Sequence, residues 1–550
     1  MRSKFSWANW AYLGLLLLHL TGCSEEPHAQ QGEVFRYNEA SVITSLDPAF
    51  ARDQGHNWVA MQLFSTLVET DSNLAIRPNL AESWHMDSNG YKWNFTLRSD
   101  VWFHADACFA PAAARAFTAE DVVYSLDRLR LPATGSPGAW VLEGVKSVKA
   151  LDAHHVQILL KAPDPAFLGR LSMPYCSVVA HEAVEKYGAG FSAHPVGTGP
   201  FAFKAWARQE KLVLRRNPAY YLKDEKGQSL PYLEAVAIRF IPDRQAAFLE
   251  FVKGQLDLVN GVDASYKDQL FHSEGGLKAQ WLSQFVLQKS PFLNTEFLGI
   301  RAQNPDPAYL GDARVRRALN WALDRVSMMR YLKNNIGIPG YGAILPAGMP
   351  GFRTEEEWSQ SGQAPWSFRP DSALYLLQKA GVLNAEGKPV EGLAPIVIST
   401  TASYRDVCEY VQSAWTAVGL SVEVNVMPSA SFREDKAQGR LPLYRASWIA
   451  DYPDPSNYFM LFASDYAAPN GPNAAQVRSE VFDDYLKNIA KAATESEKEV
   501  LLYKAESWLH TTAPMVPLFY DESIRVFRKE WKGIAPHPMN LLDLRRVHKH

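Results

Sequence analysis

The sequence predicts an α/β protein of more than one compact unit, on three observations. The chain has 550 residues, enough for roughly two to four units with cores that need no disulfide scaffold. Residues 394–428 read strand, helix, strand within one short stretch, a parallel unit with a right-handed crossover. Strand-like and helix-like segments mix along the rest of the chain, with no internal repeat and no low-complexity linker.

The elements are justified in chain order, beginning with an export signal. Arg2 and Lys4 precede the apolar run WANWAYLGLLLLHL, residues 7–20, which closes in Leu20-Thr21-Gly22-Cys23. That run is shorter than the ~20 residues a spanning helix needs, so a cleaved leader is the stronger reading. The small residues before the cysteine resemble a bacterial lipoprotein box, in which Cys23 becomes the acylated first residue. Ordinary secretion with an incidental cysteine is the alternative.

In GYKWNFTLRSD, Tyr91, Trp93, Phe95 and Leu97 alternate with polar residues, the period of a half-buried strand. Thr118 and Asp121 open the next helix as a capping box. Asp312 caps a single helix over ARVRRALNWALDRVSMM, with Val315, Ala318, Leu319 and Ala322 on its apolar face. Between APIVIST and SVEVNVMP lies a helix whose inner face carries Val407, Val411, Ala414 and Val418, ending at Gly419. Val422, Val424 and Val426 share one side of the strand that follows, and Ser496 with Glu499 opens a late helix.

Hydrophobic residues at 47% and charged residues at 21% are ordinary for a folded protein, and the net charge of −3 disfavours nucleic acid as the main partner. After Cys23 only Cys108, Cys176 and Cys408 remain, so at most one disulfide is possible. A Cys108–Cys176 bridge and three separate thiols both stay open. No zinc spacing, HExxH, GxSxG or GxGxxG occurs, and GVLNAEGKP has Pro389 where a phosphate loop needs Ser or Thr. No catalytic residue, metal site or cofactor is therefore assigned. His154 and His155 fall in a polar loop, and His548 and His550 in a frayed terminus. Most of the 16 tryptophans read as packing rather than as platforms for sugars or bases.

The stretch LYRASWIADYPDPSNYF, residues 443–459, sets Arg445 and Asp451 six residues apart among rings and prolines. Along an extended strand Arg445, Ser447, Ile449 and Asp451 share one face and span up to ~20 Å, less with a bend at the prolines. A three-residue peptide needs roughly 10 Å between its ammonium and its carboxylate.

In this order, SLDPAF (45–50), IRPNLAESW (76–84), FTLRSDVWFH (95–104), TAEDVVYSLDRL (118–129), PVGTGPF (195–201), RVRRALNWALDR (314–325), WIADYPDP (448–455) and APMVPLFY (513–520) carry a family resemblance. The chain resembles the extracytoplasmic solute-binding proteins, family 5, of bacterial ABC importers, the class that includes oligopeptide- and dipeptide-binding proteins. The resemblance implies a two-lobed periplasmic-binding-protein fold, type II, large cluster C, with an extra subdomain inserted in lobe I. Residues 1–22 would be the lipoprotein signal peptide and 23–31 the lipidated tether. Lobe I would comprise 32–64, 193–290 and 506–550, the inserted subdomain 65–192, and lobe II 291–505.

The resemblance also implies the chemistry: Asp451 pairs with the ammonium of a short peptide, and Arg445 with its carboxylate. Ser447, Trp448 and Ile449 would offer backbone groups to the peptide main chain, and Arg52 and Gln54 would belong to an opposing lobe I strand. The expected partners are a membrane permease with its ATPase, reached by a monomeric, non-enzymatic receptor held through lipid at Cys23 in the periplasm or on the outer face of the cell membrane. A non-peptide cargo, such as an oligosaccharide, haem, a metal chelate or a peptide antibiotic, is the alternative. The insertion ADACFAPAAARA and Ser24 after the acylated cysteine depart from the family pattern.

Overall fold

The computed structural model describes residues 33–550 apart from Val262, Ala264 and Ala493. The leader and the whole tether, Cys23 included, lie outside the described residues, among which no helix is long and apolar enough to cross a membrane.

Two long antiparallel strands, Phe285–Ile300 and Met515–Arg528, organise the chain. Phe285 to Pro291 lie against Glu522 to Arg528, the register shifts, and Thr295 to Gly299 lie against Met515 to Tyr520. Pro291 has no N–H to give the ladder, which accounts for a lapse there. Leu258–Asn260 joins the pair at Arg525 to Phe527, and Leu443–Ile449 joins it at Asn294 to Ile300. The two lobes thus build outward from opposite sides of the register shift, on strands they share.

Beyond Leu258–Asn260 the sheet continues through Val34–Asn38, Ala235–Arg239, Lys211–Arg216 and Phe201–Ala207. Beyond Leu443–Ile449 it continues through Ile396–Thr400 and Val422–Val426. That last pair is parallel and joined by helix Arg405–Ala417, as the strand, helix, strand pattern predicts. Trp415, not Ala414, completes the buried helix face with Val407 and Val411, because the large ring fills the space above the sheet.

A second, four-stranded antiparallel sheet holds Ala81–Met86, Lys92–Leu97, His155–Leu160 and Val145–Asp152. Trp93, Phe95 and Leu97 point inward and join one continuous core with Phe35, Trp58 and Trp531, while Tyr91 is exposed ahead of the strand. The Thr118/Asp121 capping box starts helix Ala119–Arg130.

Local expectations fail where long-range partners intervene. The single helix after Asp312 is two, Ala313–Trp321 and Arg325–Lys333. Asp324 caps the second, and the buried Arg325 guanidinium donates to the carbonyls of Asn320, Trp366 and Pro517 across the break. The late helix, Glu495–Thr512, is capped by Thr494 rather than Ser496. The three cysteines are free thiols: the Cys176 thiol donates to the Arg170 carbonyl, Cys108 follows the Asp106 cap, and burial pushes both up to about 12. The C-terminus is a paired strand, His548–Lys549 against Trp531–Lys532, because Lys549 is tied to both Glu33 and Glu530.

Candidate functional site: a strand edge between two lobes

Leu443–Ile449 is a boundary strand whose faces serve different ends. Leu443 joins the core under the parallel unit, whereas Tyr444 and Ala446 join a second core with Tyr458 and Phe459. The Ala450 N–H donates to the Leu293 carbonyl and the Arg301 N–H to that of Pro442, so even-numbered backbone groups bond the long strand Phe285–Ile300. Those of Arg445, Ser447 and Ile449 point to the opposite edge. On that edge the sheet pairing with Ile396–Thr400 reaches only Tyr444. From Ser447 onward the strand therefore presents a ladder edge that an extended chain could extend.

At the end of this edge, Asp451 is exposed and holds its carboxylate without a cation among the described residues. Its hydrogen-bond partner is Asn457, whose buried amide donates to it while the amide oxygen accepts from the Trp448 indole and the Asp451 N–H. Desolvation by the surrounding protein raises the Asp451 pKa, against a smaller lowering by Asn457. Trp448 is half buried against the core and Ile449 is exposed. Neighbouring Tyr452 docks into the other lobe, with Trp140 at 6.5 Å and the Arg170 cation 5.7 Å from its ring.

Arg445 shares the strand face but not the exposure. Its guanidinium is buried in an ion pair with Glu296 on the long strand and stacks 3.1 Å from the centroid of Tyr404. Burial raises the Glu296 pKa, opposed by Arg445. The Arg445 Nε has no partner among the described residues.

From the first lobe, Arg52 and Gln54 are exposed, but the segment is not a strand. It is the start of helix Gln54–Leu63, because Asp53 accepts from the backbone and ring nitrogens of His56 and caps it. Tyr175 connects this segment to Asp451: desolvation pushes its phenol up to about 12, with the charges of Asp451 and Asp53 adding to the shift. The charges of Asp451, Asp53 and Arg52 thus all act on Tyr175, whereas Arg445 is buried in its own lobe.

Of two cavities, only the smaller borders this strand. One of about 620 Å³ runs between the lobes past Glu39, Gln54, Arg244, Lys333 and Asp521. The other, about 290 Å³, lies against Tyr444, Ala446, Ser447 and Trp448. The insertion at 105–116 lines neither; it is fastened to helix His181–Tyr187 by Arg115 to Glu182 and Lys186 to the Ala107 carbonyl. Asp121, His181 and Glu182 cluster closely enough for a metal ion, but Arg115 already neutralises both carboxylates and Asp121 caps its helix.

Asn457, Glu296, Tyr404 and Tyr175 escaped the sequence reading. Glu296 had a signal: a lone acid inside the apolar run FLNTEFLGI needs a buried partner.

The family described as bacterial extracellular solute-binding proteins, family 5 Middle, matches residues 75–470. The periplasmic oligopeptide-binding protein of Salmonella typhimurium is 28% identical over 90% of this chain and 88% of its own. Heme-binding protein A of Haemophilus influenzae is 25% identical over 93% of this chain and 92% of its own. Among solved structures, the ABC transporter-associated periplasmic binding protein DppA from Helicobacter pylori in complex with the peptide STSA superposes with a TM-score of 0.72. It is 25% identical, covering 94% of this chain and 98% of the other.

Proposed function

The chain belongs to the bacterial extracellular solute-binding proteins of family 5, and from that premise we propose that it captures short peptides between its lobes and delivers them to a membrane permease and its ATPase. The observation that carries this reading is Asp451: a desolvated carboxylate without a cation, at the end of a strand edge free to pair with another backbone. A peptide ammonium would supply the missing charge, and backbone pairing at Ser447 and Ile449 would read the main chain while tolerating varied side chains. Gln54 and Arg52 would close over the peptide from the first lobe. Arg445 would meet its carboxylate with the guanidinium nitrogens that Glu296 leaves free.

Bridging both lobes, the ligand stabilises only the closed arrangement, which the permease then recognises. In this reading the protein transforms no substrate. It acts as a monomer outside the cytoplasm, held to the membrane by lipid on Cys23.

The test is mass spectrometry of whatever is released on denaturing the mature protein purified from its native host. Peptides of a narrow length range are expected. A haem, metal complex or sugar would overturn the peptide assignment while leaving the family intact.

A further inference from the structure

Taking the peptide reading as its basis, we infer that Lys436 makes the site selective for peptides with an acidic side chain, through a cavity that receives one ligand residue. An extended chain added to the edge of Leu443–Ile449 must place alternate side chains on the two faces of the sheet. On the face shared by Tyr444, Ala446 and Trp448 there is room: a cavity of about 290 Å³ whose apolar walls include Phe297, Leu461 and Phe462. Among the described residues, Lys436 is the one charged residue that lines it.

Two nearby cations are already matched, Arg440 by Asp435 and Arg445 by Glu296. The Lys436 ammonium is half buried and has no ion pair or hydrogen bond with any described residue. Burial lowers its pKa, and the Arg445 charge adds to this, so an incoming carboxylate would relieve both effects. An aspartate or glutamate side chain combines an aliphatic stem for the apolar walls with an anion for the ammonium.

Lys436 also sits in the last turn of helix Ser429–Ala437, where a cation complements the helix dipole. A lysine serving only the helix end would be indifferent to the ligand's side chain.

Titration calorimetry on the full mature chain separates these roles, using tri- and tetra-alanine with glutamate moved through each position, and matched glutamine peptides. At one position glutamate should bind about tenfold tighter than glutamine, a size set by one partly screened charge-assisted contact. Lys436→Met should bring that ratio to one with the glutamine peptide unchanged, and Lys436→Glu should transfer the preference to lysine at the same position. Equal binding of glutamate and glutamine at every position in the wild type, or a preference that survives in Lys436→Met, overturns this inference alone. If the alanine peptides also fail to bind, the peptide reading falls with it.

Discussion

Arg445 lies within the strand Leu443–Ile449 and Asp451 just beyond its end, and their charges are handled in opposite ways. The guanidinium is buried against Glu296 and the Tyr404 ring, so its charge is balanced within the fold. The carboxylate is exposed, with an amide for company and a raised pKa. A balanced buried pair belongs to folding, since the two desolvated ions compensate each other. An unbalanced carboxylate keeps a demand that only something from outside can meet. The same chemistry, a charge on a strand, is therefore already balanced within the fold at one end and still open to a partner at the other.

The largest way to break this contrast is Arg445→Ala, which leaves Glu296 buried and unpaired. A loss of about 3–5 kcal/mol in unfolding free energy is expected by denaturant titration. The double variant with Glu296→Ala should recover a good part of that loss. Its ligand role is read separately, by comparing a free-acid peptide with its amide: only the free acid should lose affinity beyond the stability effect. Equal losses would reduce Arg445 to a structural half of the comparison.

Next in size, Asp451→Asn should weaken binding of peptides with a free ammonium by about a hundredfold, in the range seen when one partner of a desolvated charge pair is removed. N-acetylated peptides should not distinguish the variant from the wild type, and its melting temperature should hold or rise, because a desolvated charge has gone. Unfolding of the variant, or equal losses for both peptide classes, would put Asp451 on the same footing as Arg445.

pH sharpens the comparison further. Pairing with an ammonium lowers the Asp451 pKa in the complex below its free-protein value, which desolvation holds above the ordinary 3.8. Affinity is thus complete above the free-protein pKa and falls as pH drops through it, by at most about tenfold per pH unit until the bound carboxyl also protonates. Asp451→Asn should flatten this profile in calorimetric titrations.

The smallest effect is expected where the lobes touch. A Cβ on Gly169 would meet Pro453 Cδ at 3.3 Å, tight enough to push the Asp451 loop outward. Gly169→Ala should cost a few-fold in affinity, below the 1–3 kcal/mol typical of overpacking, because the contact lies at a proline edge that can give by a few tenths of an ångström. Small-angle scattering should find a more open average, with no change in the melting of the second lobe.

Much of this arrangement is legible in the chain itself. Apolar alternation at Trp93, Phe95 and Leu97 and the capping box at Thr118 are local devices, and they fold as read. The helix after Asp312 is not, because the break at Asp324 depends on Arg325 reaching carbonyls of Trp366 and Pro517, remote in sequence. Residues 52–54 read as a strand by likeness and fold as a helix start, since Asp53 finds a capping partner three residues on. Lys436 gave no sign of its place beside Trp448.

By itself, then, the sequence determined most of the periodic elements, the order of the family motifs and the placement of an arginine and an aspartate six residues apart. Only the tertiary structure decided which of those charges was spoken for. Glu296 is 149 residues from Arg445, and no local pattern announces a partner at that separation. Electrostatic balance in a folded protein is set by what packing brings within a few ångströms, and packing is a property of the whole chain.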